Sequence, residues 1–281
     1  MSPDEIPYIK TSIVAQAREV WNRLAKFWDA QLGNGNDFQQ KLIMPATDRL
    51  LNLQPGEAVL DLACGNGNYA RRLADRGADV LACDFSAEFI ELAKARDRLS
   101  QKNPDLPPIE YRCIDATDLS QLLSLGVQQF DAAVCSMAMM DMPTIQPMLT
   151  GLSRLLKPAG RFVFSLPHPC FNSLGSRPIA ELAQEAGVPR QIYGVATHNY
   201  RSETAGLSSG LLNQPEPHPF FHRPLSAIFQ ACFTANFVID GFEEPAFEAG
   251  STGGKNAFSW QKRPEIPPAV VIRARLNHAS E

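Results

Sequence analysis

From Ala58 onward the chain repeats one pattern: a short apolar run ending in an acidic or small residue, then a stretch of helical length. That alternation is what βαβ units require. A strand buried on both faces reads as a continuous apolar run, and each parallel return needs a crossover of a dozen or more residues. The pattern predicts strands near 58–62, 79–84, 109–114, 130–136 and 161–166, with helices near 67–76, 86–100, 117–125 and 143–156. Ser86 stands where it can cap the second of these helices, and Lys157-Pro158-Ala159-Gly160 reads as a stop and turn. An α/β sheet of this kind binds its ligands outside the carboxyl ends of its strands. The residues that close each apolar run are therefore the first candidates for chemistry.

The flanking regions read differently. Residues 11–32 place apolar side chains three and four apart (Ile13, Val14, Ala17, Val20, Trp21, Leu24, Ala25, Trp28), which makes one helical face with Thr11 or Ser12 as its cap. A second amphipathic pattern from Phe38 to Leu51 contains Pro45, which is expected to bend the helix or divide it. Residues 167–224 hold many of the prolines, four of the five histidines, Tyr193 and Tyr200, with only a weak helical pattern around 178–187; this reads as a long insertion or lid. A helix at 224–235 and apolar runs at 236–242 and 269–276, paired as an antiparallel edge of the sheet, follow it. The expected organisation is an N-terminal helical cover (1–55), an α/β core (56–166), a lid or substrate insertion (167–224) and a C-terminal part of the core sheet (225–281).

Composition narrows the function classes. Twenty-six Lys and Arg against 30 Asp and Glu give a net charge of −4, with no basic block to neutralise a run of phosphates, so nucleic acid is not the expected partner. The longest apolar runs fall far short of the roughly 18 residues of a membrane span. The polar, acidic start, Met-Ser-Pro-Asp-Glu-Ile-Pro, lacks the layout of a secretory signal. Six cysteines without a C-x-x-C pair read as free thiols, and a cytoplasmic location is expected.

The first strand ends in Asp61-Leu62-Ala63-Cys64-Gly65-Asn66-Gly67, directly before a helix, and the second ends in Asp84. Glycines here let a ligand approach the backbone, the helix start offers free N–H groups, and a carboxylate after the second strand can accept bonds from both hydroxyls of a ribose. A ligand containing adenosine is the first inference. Gly65-x-Gly67-x-x-Ala70 also satisfies a loose dinucleotide fingerprint. Asp61 separates the two readings, because a carboxylate at this strand mouth repels a pyrophosphate and stabilises an ammonium.

These residues, with Asp115-Ala116 after the third strand, resemble the class I S-adenosylmethionine-dependent methyltransferases of the small-molecule type, over roughly residues 15–276. The resemblance implies a doubly wound, Rossmann-like α/β sheet of seven strands, the last antiparallel, with S-adenosyl-L-methionine across the carboxyl ends of the first strands and S-adenosyl-L-homocysteine as product. It implies that Asp61 and the backbone of Ala63, Gly65 and Gly67 hold the amino acid part of the cofactor and that Asp84 binds the ribose. Phe85 would pack beside the adenine, Asp115 and Ala116 would address its amino group and ring, and Ser136 and Met137 would floor the site beneath the sulfonium. Ala63 departs from the glycine that many members have. In similar enzymes the N-terminal region, here with Tyr8, Trp21 and Trp28, folds over the cofactor.

Methyl transfer from a sulfonium is an in-line displacement, so the protein must hold the nucleophile about 3 Å from the methyl in a dry site. A base helps when the acceptor is a hydroxyl, an amine or an activated carbon. His168, after the fifth strand, is the first candidate, and His222, ahead of the helix at 224, the second. His218 and His222 have the spacing of paired metal ligands, but Pro219 and Pro224 oppose a continuous helix and no third ligand is evident, so no metal is expected. Met137, Met139, Met140 and Met142, with Asp141, could line an apolar acceptor pocket. The resulting expectation is methyl transfer to a small-molecule acceptor. The alternatives are a cofactor-binding protein without turnover, acting as a sensor or partner subunit, and a nicotinamide-dependent dehydrogenase.

Overall fold

A computed structural model describes residues 5–100, 106–250 and 258–277 of the chain, with side chains from residue 17 onward apart from residue 185. The apolar runs become the strands of one sheet: β1 (Ala58–Leu62), β2 (Asp79–Asp84), β3 (Glu110–Cys113), β4 (Phe130–Ser136) and β5 (Leu156–Pro167). Between them lie α3 (Asn68–Ala74), α4 (Ala87–Leu99), α5 (Leu119–Leu123) and α6 (Gln146–Leu155). After α7 (Leu225–Thr234) come β10 (Phe237–Glu243) and β11 (Ala269–Leu276). The order across the sheet is β3-β2-β1-β4-β5-β11-β10, and β11 runs antiparallel to both of its neighbours. The final strand thus inserts between β5 and β10, and β10 forms the edge.

Because β1 is flanked by β2 on one side and β4 on the other, the chain reverses its winding there, and the helices leaving β1 and β4 splay to opposite faces. That leaves a crevice at the carboxyl ends of β1 and β4. The central strands are buried on both faces. Leu60, Leu62, Cys135, Phe162, Phe164 and Ile272 pack on one side, and Val59, Ala82, Ala132, Val134 and Val271 on the other. Ser86 caps α4 by accepting a bond from the Phe89 N–H at 3.2 Å.

Four expectations change. The first helix, α1, spans Glu5–Leu32, so Thr11 and Ser12 lie inside it and do not cap it. Pro45 does not break the second helical region: a π-helical turn (Gln39–Ile43) passes without a gap into α2 (Met44–Leu51), and Pro45 stands in the first turn of α2, where the helix changes type. Lys157 to Gly160 form a bulge within β5, since Leu156 pairs with Phe130 and Arg161 with Ala132, and Ala159 takes a positive φ of 60°. The weak helical pattern at 178–187 is a β-hairpin, β6 (Ser176–Glu185) with β7 (Val188–Thr197). Ala186 and Gly187 both have positive φ, 51° and 82°, the backbone of a two-residue hairpin turn, and that turn chemistry outweighs the spacing of Ile179, Leu182 and Ala183. A second hairpin, β8 (Thr204–Ser208) with β9 (His218–His222), completes the insertion. Among the described residues no helix is long and apolar enough to cross a membrane.

Phe162 joins β5 to the late strands: its ring stacks on Phe164 at 5.1 Å and meets Phe237 of β10 at 6.4 Å, all three fully buried or nearly so. Truncation there leaves a cavity that the flanking strands cannot close. Phe162→Ala is expected to lower the unfolding free energy by about 3–5 kcal/mol, seen as a fall in the urea midpoint with little change in slope.

Candidate functional site

The crevice is the mouth of a cavity of about 880 Å³. Its base is built from strand ends. At the end of β1 the chain turns through Ala63 (φ 54°), Gly65 (φ 54°) and Gly67 (φ 71°), three left-handed residues within five. Ala63 carries a Cβ in that region, a backbone conformation that costs on the order of 1–3 kcal/mol and is usually held by a functional constraint. The loop is tied down by the Cys64 N–H to the Cys83 carbonyl (2.9 Å) and the Gly67 N–H to the Cys64 carbonyl (3.0 Å). At Gly67 a Cβ would stand 2.9 Å from the Tyr111 hydroxyl, so only glycine fits beneath α3. The same geometry keeps Gly67 out of the cavity wall, whereas Ala63 and Gly65 line it.

Two carboxylates occupy the ends of β1 and β2. Asp84 Oδ2 accepts the Gly65 N–H and Oδ1 the Ser86 N–H, each at 2.9 Å. Asp61 is 1% exposed, and its Oδ2 has no hydrogen-bond partner. Burial, then the neighbouring Asp84 charge, pushes the Asp61 carboxyl up to about 8. Burial raises Asp84 to about 6 against the pull of the Ser86 and Gly65 N–H groups. Among the described residues, the cavity wall carries Glu19, Asp61, Asp84, Asp115 and Asp141 but one fixed cation, Arg18. Arg18 is itself paired to Asp115 at 2.9 Å. A wall of this charge attracts a cation and opposes a pyrophosphate.

The other residues expected after β2, β3 and β4 also converge here. Phe85, Asp115, Ala116, Ser136 and Met137 all line the cavity. Asp115 is more engaged than a free adenine contact: Oδ1 accepts from the Thr117 N–H and hydroxyl, and Oδ2 from Arg18, whose guanidinium carbon lies 5.9 Å from the Phe85 ring centre. Met137 has a φ of 54° and donates its N–H to the Ser165 carbonyl (3.0 Å) and hydroxyl (3.1 Å), which locks the end of β4 to β5 as a floor. Helix α1 covers the opening. Asn66 donates to Asp29 (3.0 Å) and to the Gly33 carbonyl (3.2 Å), Arg96 pairs with Asp29, and Ser86 meets Asn22 at 2.6 Å. Trp21 and Trp28 of α1 line the cavity, while the side chain of Tyr8 lies outside the described residues.

The two histidines expected as bases are placed elsewhere. His168 is 1% exposed, and both ring nitrogens are engaged, Nδ1 by the Cys170 N–H (3.1 Å) and Nε2 by Glu244 (2.8 Å). It fastens the end of β5 to the segment after β10 and is not in the cavity wall. His222 gives its Nε2–H to the Tyr200 carbonyl at 2.8 Å and is likewise outside that wall. Asn172, Ser173, Ser208, Ser209 and His218 reach the cavity from the insertion, and His218 Nε2 lies 3.7 Å from Oδ1 of Asp141 in the turn after β4. Composition singled out both residues, but their meeting is a tertiary event, β9 laid over the turn after β4. Among the described residues no group of three His, Cys, Asp or Glu side chains is arranged to hold a metal ion.

The raised carboxyls have a measurable consequence. A carboxyl that holds its proton more tightly folded than unfolded makes the folded state the proton-richer one, so stability falls as pH rises from the usual carboxylate range toward 8. Asp61→Asn removes that penalty. It is expected to raise the unfolding free energy at pH 8 by at least about 1 kcal/mol, the equivalent of roughly one unit of displacement. The gain should vanish near pH 4, as followed by denaturant unfolding at the two pH values. A loss of stability at pH 8 would mean that Asp61 already has a cationic partner.

Comparison with known proteins agrees with this geometry. Residues 60–164 match the model of a methyltransferase domain. The chain is 31% identical over 147 residues to a 2-phytyl-1,4-naphtoquinone methyltransferase of Trichormus variabilis, covering 51% of this chain and 61% of that protein. It is 34% identical over 110 residues to a ubiquinone biosynthesis O-methyltransferase of Acinetobacter baumannii, covering 39% and 44%. The chain thus spans about half the length of the curated relatives it matches. A crystal structure of an S-adenosylmethionine-dependent methyltransferase from Mesorhizobium loti superposes with a TM-score of 0.59 at 25% identity, over 82% of this chain and 96% of that one. Residues 60–164 thus match a methyltransferase domain, and the seven-stranded sheet around them has the fold of S-adenosylmethionine-dependent methyltransferases.

Proposed function

We propose that the protein transfers a methyl group from S-adenosyl-L-methionine to a small-molecule acceptor. The observation that carries this reading is the buried, unbonded Oδ2 of Asp61 beside the glycine loop. An isolated carboxylate oxygen in that position is costly until a cation meets it, and the α-ammonium of the cofactor's amino acid part is such a cation. The backbone of Ala63 and Gly65 lies alongside, with Gly67 holding the turn. Each Asp84 oxygen accepts one backbone N–H, which leaves a lone pair on each for the two ribose hydroxyls. Phe85, Asp115 and Ala116 are assigned to the adenine, with the Arg18–Asp115 pair closing its edge, and Ser136 and Met137 to the floor. When bound, the cofactor supplies an electrophilic methyl on a sulfonium. The protein's part is to bury the reacting pair under α1 and to hold the acceptor in line.

The similarity to a phytyl-naphthoquinone methyltransferase and a ubiquinone biosynthesis O-methyltransferase supports acceptors of quinone type. Within this reading residues 1–55 serve as the cover, 56–166 as the cofactor core, 167–224 as the wall of the acceptor side and 225–281 as the rest of the sheet. The acidic cavity and net charge favour a small molecule over nucleic acid. Six free cysteines support a cytoplasmic setting.

Calorimetric titration with S-adenosylmethionine, S-adenosylhomocysteine and NAD tests the proposal. The first two are expected to bind in the micromolar range, and Asp61→Ala and Asp84→Ala to weaken them by about 30-fold or more, the lower end of what truncating one partner of a buried charged contact costs. Binding of NAD in their place would overturn the reading. Binding of both cofactor forms without turnover of any quinol or phenol would favour a cofactor-binding sensor or partner subunit.

A further inference from the structure

The acceptor side of the cavity contains a constructed polar contact. After β4 the chain makes a short 3-10 turn, Met139–Asp141, and Arg223, the residue directly after β9, donates to the carbonyls of Met139 (3.3 Å), Met142 (2.8 Å) and Pro143 (2.8 Å). This clamp fixes the turn against β9 and brings Asp141 to His218. The state of the ring follows from its neighbours. Gln214 Oε1 accepts the Gly210 N–H (3.2 Å) and its Nε2 donates to the Glu216 carbonyl (2.6 Å), which settles the amide orientation. The same Nε2 therefore donates to His218 Nδ1 at 3.0 Å, and the proton of the neutral ring sits on Nε2, toward Asp141. Burial lowers His218 to about 4, so the ring stays neutral and is a donor, not a base.

Asp141 is the carboxyl that faces His218 across the turn after β4. Its Oδ1 is covered, faces His218 and has no hydrogen-bond partner, while the side chain keeps 14% of its surface where it lines the cavity. The surroundings are flat and apolar. Trp21 lies 4.7 Å from the His218 ring and 5.5 Å from Trp28 (centroid distances), and Met140, Met142 and Phe220 line the same cavity.

Resting on the methyltransferase reading, we propose that Asp141 is the catalytic residue of the acceptor side, and that it receives the proton of an aromatic hydroxyl seated against Trp21 and Trp28. The acceptor oxygen forms the bond to the methyl carbon, the carbon–sulfur bond breaks with its electron pair left on sulfur, and the hydroxyl proton passes to the Asp141 carboxylate, which later returns it to water. An aromatic hydroxyl fits the chemistry because its acidity, near pKa 10 for a phenol such as tyrosine, is within reach of a carboxylate whose proton affinity burial has raised. An aliphatic alcohol is too weak an acid for such a base. The indole faces offer the area for offset stacking that a planar acceptor uses.

The test uses the whole protein saturated with S-adenosylhomocysteine and 4-nitrophenol as the probe, followed by quenching of tryptophan fluorescence. The wild type is expected to bind the probe, and Asp141→Asn and Asp141→Ser to weaken it by at least about 10-fold while S-adenosylhomocysteine affinity, measured by calorimetry, is unchanged. Equal probe affinity in wild type and both variants overturns the proposal. So does a wild type that binds S-adenosylhomocysteine but prefers benzylamine or benzyl alcohol to 4-nitrophenol. Failure of S-adenosylhomocysteine to bind the wild type is a separate result, since it removes the methyltransferase reading on which the proposal stands.

Discussion

Two carboxylates sit at the carboxyl ends of adjacent central strands, buried and with no basic side chain bonded to either. In an ordinary core this arrangement is disfavoured, because each ion loses its hydration and the two repel. Here Asp84 is sustained by main-chain N–H groups of Gly65 and Ser86, which are free only because the loop after β1 turns through three left-handed residues and because α4 starts at Ser86. Asp61 has less support, and its Oδ2 carries an electrostatic cost that no group of the protein relieves. The dry flanks of β1 and β2, with Val59, Leu60, Leu62, Ala82 and Cys83 at 0% exposure, make that cost large. The packing of the sheet and the electrostatics of the site are thus one property seen from two sides.

The cover follows from the same constraint. A buried charge is useful to a ligand only while water stays out, and α1 excludes water by attaching to the very loop that needs protection, through Asp29 and Asn66, through Asn22 at Ser86, and through Val20, Trp21, Leu24 and Ala25 packed with Phe89. At its far side Arg23 pairs with Glu216 of the insertion at 2.7 Å, so the cover and the insertion share a seam over the cavity. That exposed ion pair contributes little to stability.

Much of this was legible from local pattern. Strands of a parallel sheet are continuous apolar runs, and their ends announce themselves in Asp61, Asp84 and Ser136, so the strand-end half of the cavity, the half proposed for the cofactor, could be assembled from sequence with Asp61, Ala63, Gly65, Asp84, Phe85, Asp115, Ala116, Ser136 and Met137 all lining it. The half built by the insertion could not. His168 and His218 are equally plausible in a list of residues, and what separates them is which surface each strand presents after the insertion folds back, a relation that no local spacing encodes. The hairpin at Ser176–Thr197 was obscured for a related reason: its strands are largely exposed, so they lack the strict alternation that one buried face imposes. Its one local signal was the Ala186-Gly187 turn.

Strain marks the boundary between the two halves. Among the residues that line the cavity, Ala63 and Met137 have Cβ atoms in the left-handed region, one at the end of β1 and the other at the end of β4, the two strands between which the crevice opens. Each is held by bonds from the adjacent strand: the turn after Ala63 through the Cys64 N–H on the Cys83 carbonyl, and Met137 through its own N–H on Ser165. A sharp reversal at both strand ends stops the sheet abruptly, so that the backbone turns away and leaves a gap that a ligand can fill without displacing side chains. Beyond Met137 the chain is free to carry Asp141 toward β9, and beyond Ala63 it is free to enter α3. The same local cost at two strand ends therefore separates the cavity floor built by the sheet from the wall built by the insertion.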